Sequence, residues 1–194
     1  MSTLPREFFQ RDPLTVAREL IGCELVCGEC AGIIVETEAY AAEGDEACHT
    51  FFRPSTRAFI AAHEAGSAYI YFNYGMYWLL NALVKGGSMD GFALIRAVEP
   101  RRGLDLMRER REKLAQRELC SGPGKLTQAF GITGAEHGDS LCGGDPIRLQ
   151  QRREHAEVET CLRVGIRKSA HLPWRFLLKG SPLVSKAVGR AGPR

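Results

Sequence analysis

One run limits what this chain can fold into more than any other: Cys30-Ala31-Gly32-Ile33-Ile34-Val35-Glu36-Thr37-Glu38-Ala39-Tyr40. Its β-forming residues alternate with period two, which predicts a strand with two distinct faces. Ile34, Glu36, Glu38 and Tyr40 share one face; Ile33, Val35, Thr37 and Ala39 share the other. Carboxylates are rarely buried without a reason. Two of them on one face of an apolar strand therefore point into a common cleft, with the Tyr40 ring beside them. The preceding CELVC and the Gly28-Glu29 pair make this the second strand of a hairpin whose two-residue turn begins with glycine.

The remaining pattern predicts a mixture of helices and strands. Asp12, as N-cap, and Pro13 open a helix that Gly22 stops. Pro54 to Ala65 reads as a short helix ended by Gly66. Residues 67–84 read as a strand, a bend at Gly75, and a second strand or short helix. KGGSMDG is a turn, FALIRAVEP a strand, and Leu104 to Arg117 an amphipathic helix with a charged outer face. LCSGPGKLTQAFGI runs from a Gly/Pro-rich loop into a helix, and PIRLQQ, CLRVGI and RFLLKG are late strands. With neither repeats nor a low-complexity linker, the expectation is one α+β domain over residues 1–194.

Charge is distributed unevenly. Residues 163–194 carry eight Lys or Arg and no Asp or Glu, and residues 101–117 carry seven basic against three acidic side chains. Residues 29–64 reverse the balance, with seven acidic and two basic. A basic surface around an acidic site suits a hydrolase that binds a polyanion. Seven cysteines, an odd number, fit a reducing compartment. No apolar run spans a bilayer and the N-terminus lacks a signal-peptide pattern, so a soluble cytoplasmic protein is expected.

Three further motifs carry chemistry. Tyr69-Ile70-Tyr71-Phe72-Asn73-Tyr74-Gly75-Met76-Tyr77 supplies aromatic planes that can sandwich a flat, electron-poor ring. Arg96 interrupts the apolar strand ALIRAVEP and needs a carboxylate, with Glu36 or Glu38 the economical partner. Cys120-Ser121-Gly122-Pro123-Gly124-Lys125 opens a helix whose N-terminus, with Lys125, suits a phosphate, although the spacing is not that of a nucleotide-binding loop. Cys23, Cys27 and Cys30 have iron–sulfur spacing, but a hairpin is the wrong scaffold for wrapping a cluster, so no metal is expected.

Taken together, VETEAY, His49, YxxYGMYxxxN, LIRAVEP and LCSGPGKL resemble the alkyladenine (3-methyladenine) DNA glycosylases, in order and over nearly the whole chain. The resemblance implies a curved antiparallel β-sheet surrounded by helices, in a monomer that flips a damaged purine from double-stranded DNA and cuts its N-glycosidic bond. It implies Glu38 as general base, with Arg96 helping to hold the water. Tyr40, His49 and Tyr71 would sandwich the base. Asn81 would oppose the exocyclic amino group of guanine. Tyr74 would be the wedge that fills the vacated stack, supported by Met76 and Tyr77. A cytoplasmic, nucleoid-associated location follows. One loop departs from the family pattern: Ser55-Thr56-Arg57-Ala58, Ala61-Ala62 and Ala65-Gly66 replace the usual residues, with one residue fewer.

The chemistry agrees with those roles. A 3- or 7-methylated purine is a cation that tyrosine faces attract and that leaves without a general acid. One carboxylate therefore suffices, unlike the pair in sugar hydrolases. Hypoxanthine and ethenoadenine are neutral and need leaving-group help. No cofactor is expected, and no placed lysine predicts a Schiff base. Two rivals remain: a non-catalytic nucleic-acid binder that uses the aromatics for stacking, and a metal or cluster enzyme built on Cys23, Cys27 and Cys30.

Overall fold

The structure, a computed structural model, describes residues 2–73 and 75–186. Tyr74 and the basic tail from residue 187 lie outside the described residues. Strand β1 (Glu24–Cys27) and strand β2 (Cys30–Ala41) form the expected hairpin, with Cys27 opposite Cys30 and Gly28 at φ +53° where a side chain would be strained. After helix α3 (Pro54–Ala62) come strands β3 (Ala68–Asn73) and β4 (Tyr77–Val84), a second hairpin, and then β5 (Gly91–Arg102). Late strands are β6 (Ile147–Gln150), β7 (Val158–Cys161) and β8 (Arg175–Leu178). Every pairing is antiparallel, in the order β3-β4-β5-β2-β1-β6, with β8 on β2 and β7 on β8. The sheet curls into a half-barrel with helices around it, so the fold is α+β.

Strand β2 is the spine. β5 runs along one of its edges, while β1 and then β8 share the other. One face rests on helix α2 (Pro13–Glu19), where the Thr37 hydroxyl donates to the Ala17 carbonyl at 2.6 Å. Leu20, Ile21, Leu25, Leu80, Ile95, Leu126 and Phe130 are buried in the core on this side. Each such side chain contributes about 1.5–3 kcal/mol by leaving water. The opposite face of β2 is left for the cleft.

Several details differ from the sequence expectation. A bulge between Ile34 and Glu36 resets the alternation. Ile34 therefore joins the main core with Ala39, while Glu36, Glu38 and Tyr40 stay on the cleft side. Asp12 holds the N-cap position of α2, as expected, but its carboxylate makes no capping bond there; it accepts from Ser88 N–H (2.8 Å) and Oγ (2.8 Å), tying the KGGSMDG turn to the helix entrance. That helix ends at Glu19, short of Gly22. The charged helix is two pieces, α4 (Leu104–Arg111) and α5 (Gln116–Leu119), because Glu112 takes a left-handed conformation (φ +51°) and closes the first. Finally β7 ends at Cys161, so Arg163 and Val164 leave the sheet and turn toward the cleft.

Candidate active site

The cleft, about 600 Å³, opens between the two hairpins and the start of helix α6 (Pro123–Phe130). Tyr40, His49, Tyr71, Asn81, Tyr77, Lys125 and Arg96 all contribute to its wall. The structure thus gathers these sequence-predicted residues into one site. Met76 stands at the tip of the β3–β4 hairpin with 63% of its surface exposed, and Tyr77 beside it is 46% exposed. Helix α6 comes so close to that hairpin that a Cβ on Gly124 would lie 2.7 Å from Tyr77 Cβ, so only glycine fits.

Glu38 is fully buried just behind the wall. Its Oε2 accepts from the Tyr40 hydroxyl (2.8 Å) and from Arg96 Nη1 (3.2 Å). Oε1 accepts from the Val164 N–H (2.7 Å). Burial raises the Glu38 pKa above the usual 4.5, and Arg96, the Val164 N–H and the Tyr40 hydroxyl oppose that rise without cancelling it. The result is a carboxylate with raised basicity, held in one orientation by three donors.

Glu36 has a different task. Its Oε1 accepts from Arg96 Nε (2.9 Å), Arg175 Nε (2.8 Å) and Ser185 Oγ (2.8 Å), and Oε2 from the Ser185 N–H (2.5 Å). Burial works against its charge, but Arg96, the Ser185 N–H and Arg175 outweigh burial and hold its pKa below 4.5. Arg96 therefore pairs with both glutamates, not with one.

The aromatic wall is rigid. The rings of His49 and Tyr71 meet edge to face, with centroids 4.3 Å apart. The Tyr69 hydroxyl lies 3.2 Å from His49 Nδ1 and 2.8 Å from Thr56 Oγ1, both within hydrogen-bonding reach. Asn81 donates its side-chain N–H to the Tyr69 carbonyl at 3.0 Å. Burial, with a contribution from Arg53, lowers the His49 pKa from 6.5 to about 4. This histidine is neutral at pH 7. The unfolded chain protonates His49 below about 6.5 while the folded chain resists until about 4, so stability falls as pH drops through that window. Thermal melts of the wild type and of His49→Phe should differ there: the variant's acid limb should be flatter between pH 6.5 and 4. Parallel limbs would show that His49 contributes nothing to it.

Sequence reasoning missed several contributors. Val164 supplies only its backbone N–H, which no side-chain pattern reveals. Arg163 and Arg175 had a readable signal: each interrupts an apolar stretch, as Arg96 does. Asp45, Arg163's partner, was hidden among surface-type acids. Phe52, 56% exposed, packs edge-on against His49 at the cleft rim. Cys27 and Cys30 sit opposite each other across the β1–β2 hairpin, while the Cys23 thiol points to the Glu19 carbonyl and that of Cys30 to the Ala129 carbonyl. Burial pushes the Cys23 and Cys27 thiols up to about 11. Among the described residues no group of three or more His, Cys, Asp or Glu side chains is placed to hold a metal, and no helix is long and apolar enough to cross a membrane.

The curled antiparallel sheet thus carries an aromatic-walled cleft backed by a buried, hydrogen-bonded carboxylate, with Arg111 and Lys125 on its lining, an arrangement suited to a flat ring carried on a polyanion. Comparison with known proteins makes this specific. The model of the family described as methylpurine-DNA glycosylase (MPG) matches residues 7–182. A relative from Agrobacterium fabrum is 45% identical over 183 residues, 94% of this chain and 92% of its own length. One from Rhodopseudomonas palustris is 43% identical (96% and 90% covered), and one from Bradyrhizobium diazoefficiens 42% identical (94% and 90%). All three carry the name "Putative 3-methyladenine DNA glycosylase". The chain belongs to the methylpurine-DNA glycosylase family.

Proposed function

We propose that this chain is a monofunctional DNA glycosylase that excises alkylated purines, 3-methyladenine and 7-methylguanine among them, as the first step of base excision repair. The observation that carries this reading is Glu38: a carboxylate with raised basicity, fixed behind an aromatic-walled cleft. Family membership and the relatives' names support it.

The damaged nucleotide leaves the duplex, and its base enters between Tyr40 and the His49–Tyr71 wall. Tyr74 is the wedge that fills the gap in the stack, and Met76 and Tyr77, exposed at the hairpin tip, are its supports in this reading. Asn81 narrows the slot against an exocyclic amino group. Arg111, Lys125 and the basic surface bind phosphates. At the sugar, water attacks C1′ and passes a proton to Glu38, whose Oε1 has a lone pair beyond the one taken by Val164. The C1′–N bond breaks and its electron pair neutralises the cationic base, so no general acid is needed. Arg96 holds Glu38 in place and charged. One chain contains every group named, and the enzyme acts as a monomer on double-stranded DNA.

The test is base release from duplexes that each carry one defined lesion. Free 3-methyladenine or 7-methylguanine should appear, and the strand should remain intact until alkali is added. Tight lesion binding with no released base would instead support a non-catalytic binder.

A further inference from the structure

Behind Tyr40 lies a charged pair that the mechanism above leaves unused. Arg163 and Asp45 have fully buried side chains. Arg163 Nη1 donates to Asp45 Oδ2 at 2.6 Å and Nη2 donates to Oδ1 at 2.9 Å, a two-point fork. Nη1 also donates to the Ala39 carbonyl (2.9 Å), and Nη2 to the Ser169 carbonyl (3.2 Å). The guanidinium carbon stands 4.6 Å from the centre of the Tyr40 ring and 5.1 Å from that of Trp174. Arg163 does not line the cleft, whereas Tyr40 does. The Tyr40 face it covers is therefore the one turned away from the base. Arg163 Nε is buried with no partner among the described residues. The side chain is thus placed by the stack and the fork at the expense of one hydrogen bond.

The placement has an electrostatic consequence. A cation on the back of an aromatic ring opposes a second cation on its front. A methylated purine stacked on Tyr40 would lie roughly 8 Å from the guanidinium, where an uncompensated charge at an effective dielectric constant of about 20 weakens binding roughly 30-fold. Asp45 supplies the compensation. The same carboxylate accepts the Ala47 N–H at 3.1 Å, which shapes the loop leading to His49. Next to Arg163, Val164 donates to Glu38.

We infer that the Arg163–Asp45 pair is the positioning layer for Tyr40, and that Asp45 is a specificity determinant: by neutralising Arg163 it lets the slot accept a positively charged base. The inference rests on the glycosylase reading, since it presumes that Tyr40 stacks on the flipped base.

The probe is a pair of duplexes, one with 7-methylguanine and one with its neutral isostere 7-deaza-7-methylguanine, each on a 2′-fluoro sugar so that the base is not released. Wild-type enzyme should bind the cationic base at least as tightly as the isostere. In Asp45→Asn the asparagine still accepts from one guanidinium arm, but the Arg163 charge is left uncompensated behind Tyr40. The cation-to-isostere affinity ratio should then fall roughly 30-fold. The double variant Asp45→Asn/Arg163→Gln should restore the ratio even if both affinities are lower. Equal loss for both duplexes in Asp45→Asn would reduce the pair to a structural role and overturn the inference. So would a wild-type preference for the neutral isostere, a result that does not depend on any variant folding. If wild type does not distinguish either lesion from undamaged DNA, the glycosylase reading itself has failed.

Discussion

Glu38→Gln should bind lesion-bearing duplex as wild type does, yet excise the base at least on the order of 100-fold more slowly under single-turnover conditions. Glu38 is the carboxylate that bonds the Tyr40 hydroxyl beside the slot, and its Oε1 keeps a lone pair that can take a proton from water. Three donors converge on it: the Tyr40 hydroxyl and Arg96 Nη1 on Oε2, and the Val164 N–H on Oε1. Glutamine can keep its amide oxygen toward Tyr40 and Arg96 and set its N–H₂ against the Val164 N–H, so the variant loses that one hydrogen bond and still folds. In the wild type the rate should fall as pH is lowered through the Glu38 pKa, and that limb should sit above 4.5, since burial dominates its shift. Glu36→Gln is the contrasting variant. The four hydrogen bonds that Glu36 accepts come from Arg96, Arg175 and Ser185, groups that tie strands to the chain's later segments, so its loss should lower the melting temperature more than the rate. Excision by Glu38→Gln at a near wild-type rate would remove Glu38 from the mechanism.

The contrast between these two glutamates shows what a one-dimensional reading can and cannot resolve. Alternation placed both on one face beside Tyr40, and a lone arginine in an apolar strand pointed to their partner. Both inferences use only local period and the cost of burying charge. The bulge at Ile34–Glu36 was invisible because no glycine marks it. For the same reason the break after Arg111 was missed: Glu112-Lys113-Leu114-Ala115 contains no helix breaker, and the left-handed Glu112 is fixed by backbone contacts to Arg108 and Glu109. Arg163 and Asp45 lie 118 residues apart, and no local pattern pairs them. An arginine inside the apolar stretch CLRVGI signals a buried charge, but nothing nearby in the sequence names its partner. The roles that came from family resemblance concern positions whose chemistry is not local at all, such as Asn81, whose amide faces a cleft built by two hairpins and a helix.

The largest effect on stability should come from Arg96. Its three donor positions are spread over three acceptors: Nε on Glu36 (2.9 Å), Nη1 on Glu38 (3.2 Å) and Nη2 on Ser185 Oγ (3.3 Å). Removing one member of a buried ion cluster leaves charge uncompensated and costs about 3–5 kcal/mol. Arg96→Met fills most of the volume but supplies no charge. Glu36 keeps Arg175 and the two Ser185 donors and stays ionised. Glu38 loses the one ion-pair partner it has among the described residues, and burial then favours its protonated form. At about 2–4 °C per kcal/mol for a chain of this size, the melting temperature should drop on the order of 10 °C. Excision by the molecules still folded should also show its acid limb at higher pH, because the remaining donors cannot hold Glu38 charged. The two readouts separate scaffold from mechanism: a lower melting point with an unmoved pH limb would mean that Arg96 serves Glu36 and the fold, and does not hold Glu38. A melting temperature within 2 °C of wild type would contradict the buried-cluster energetics outright.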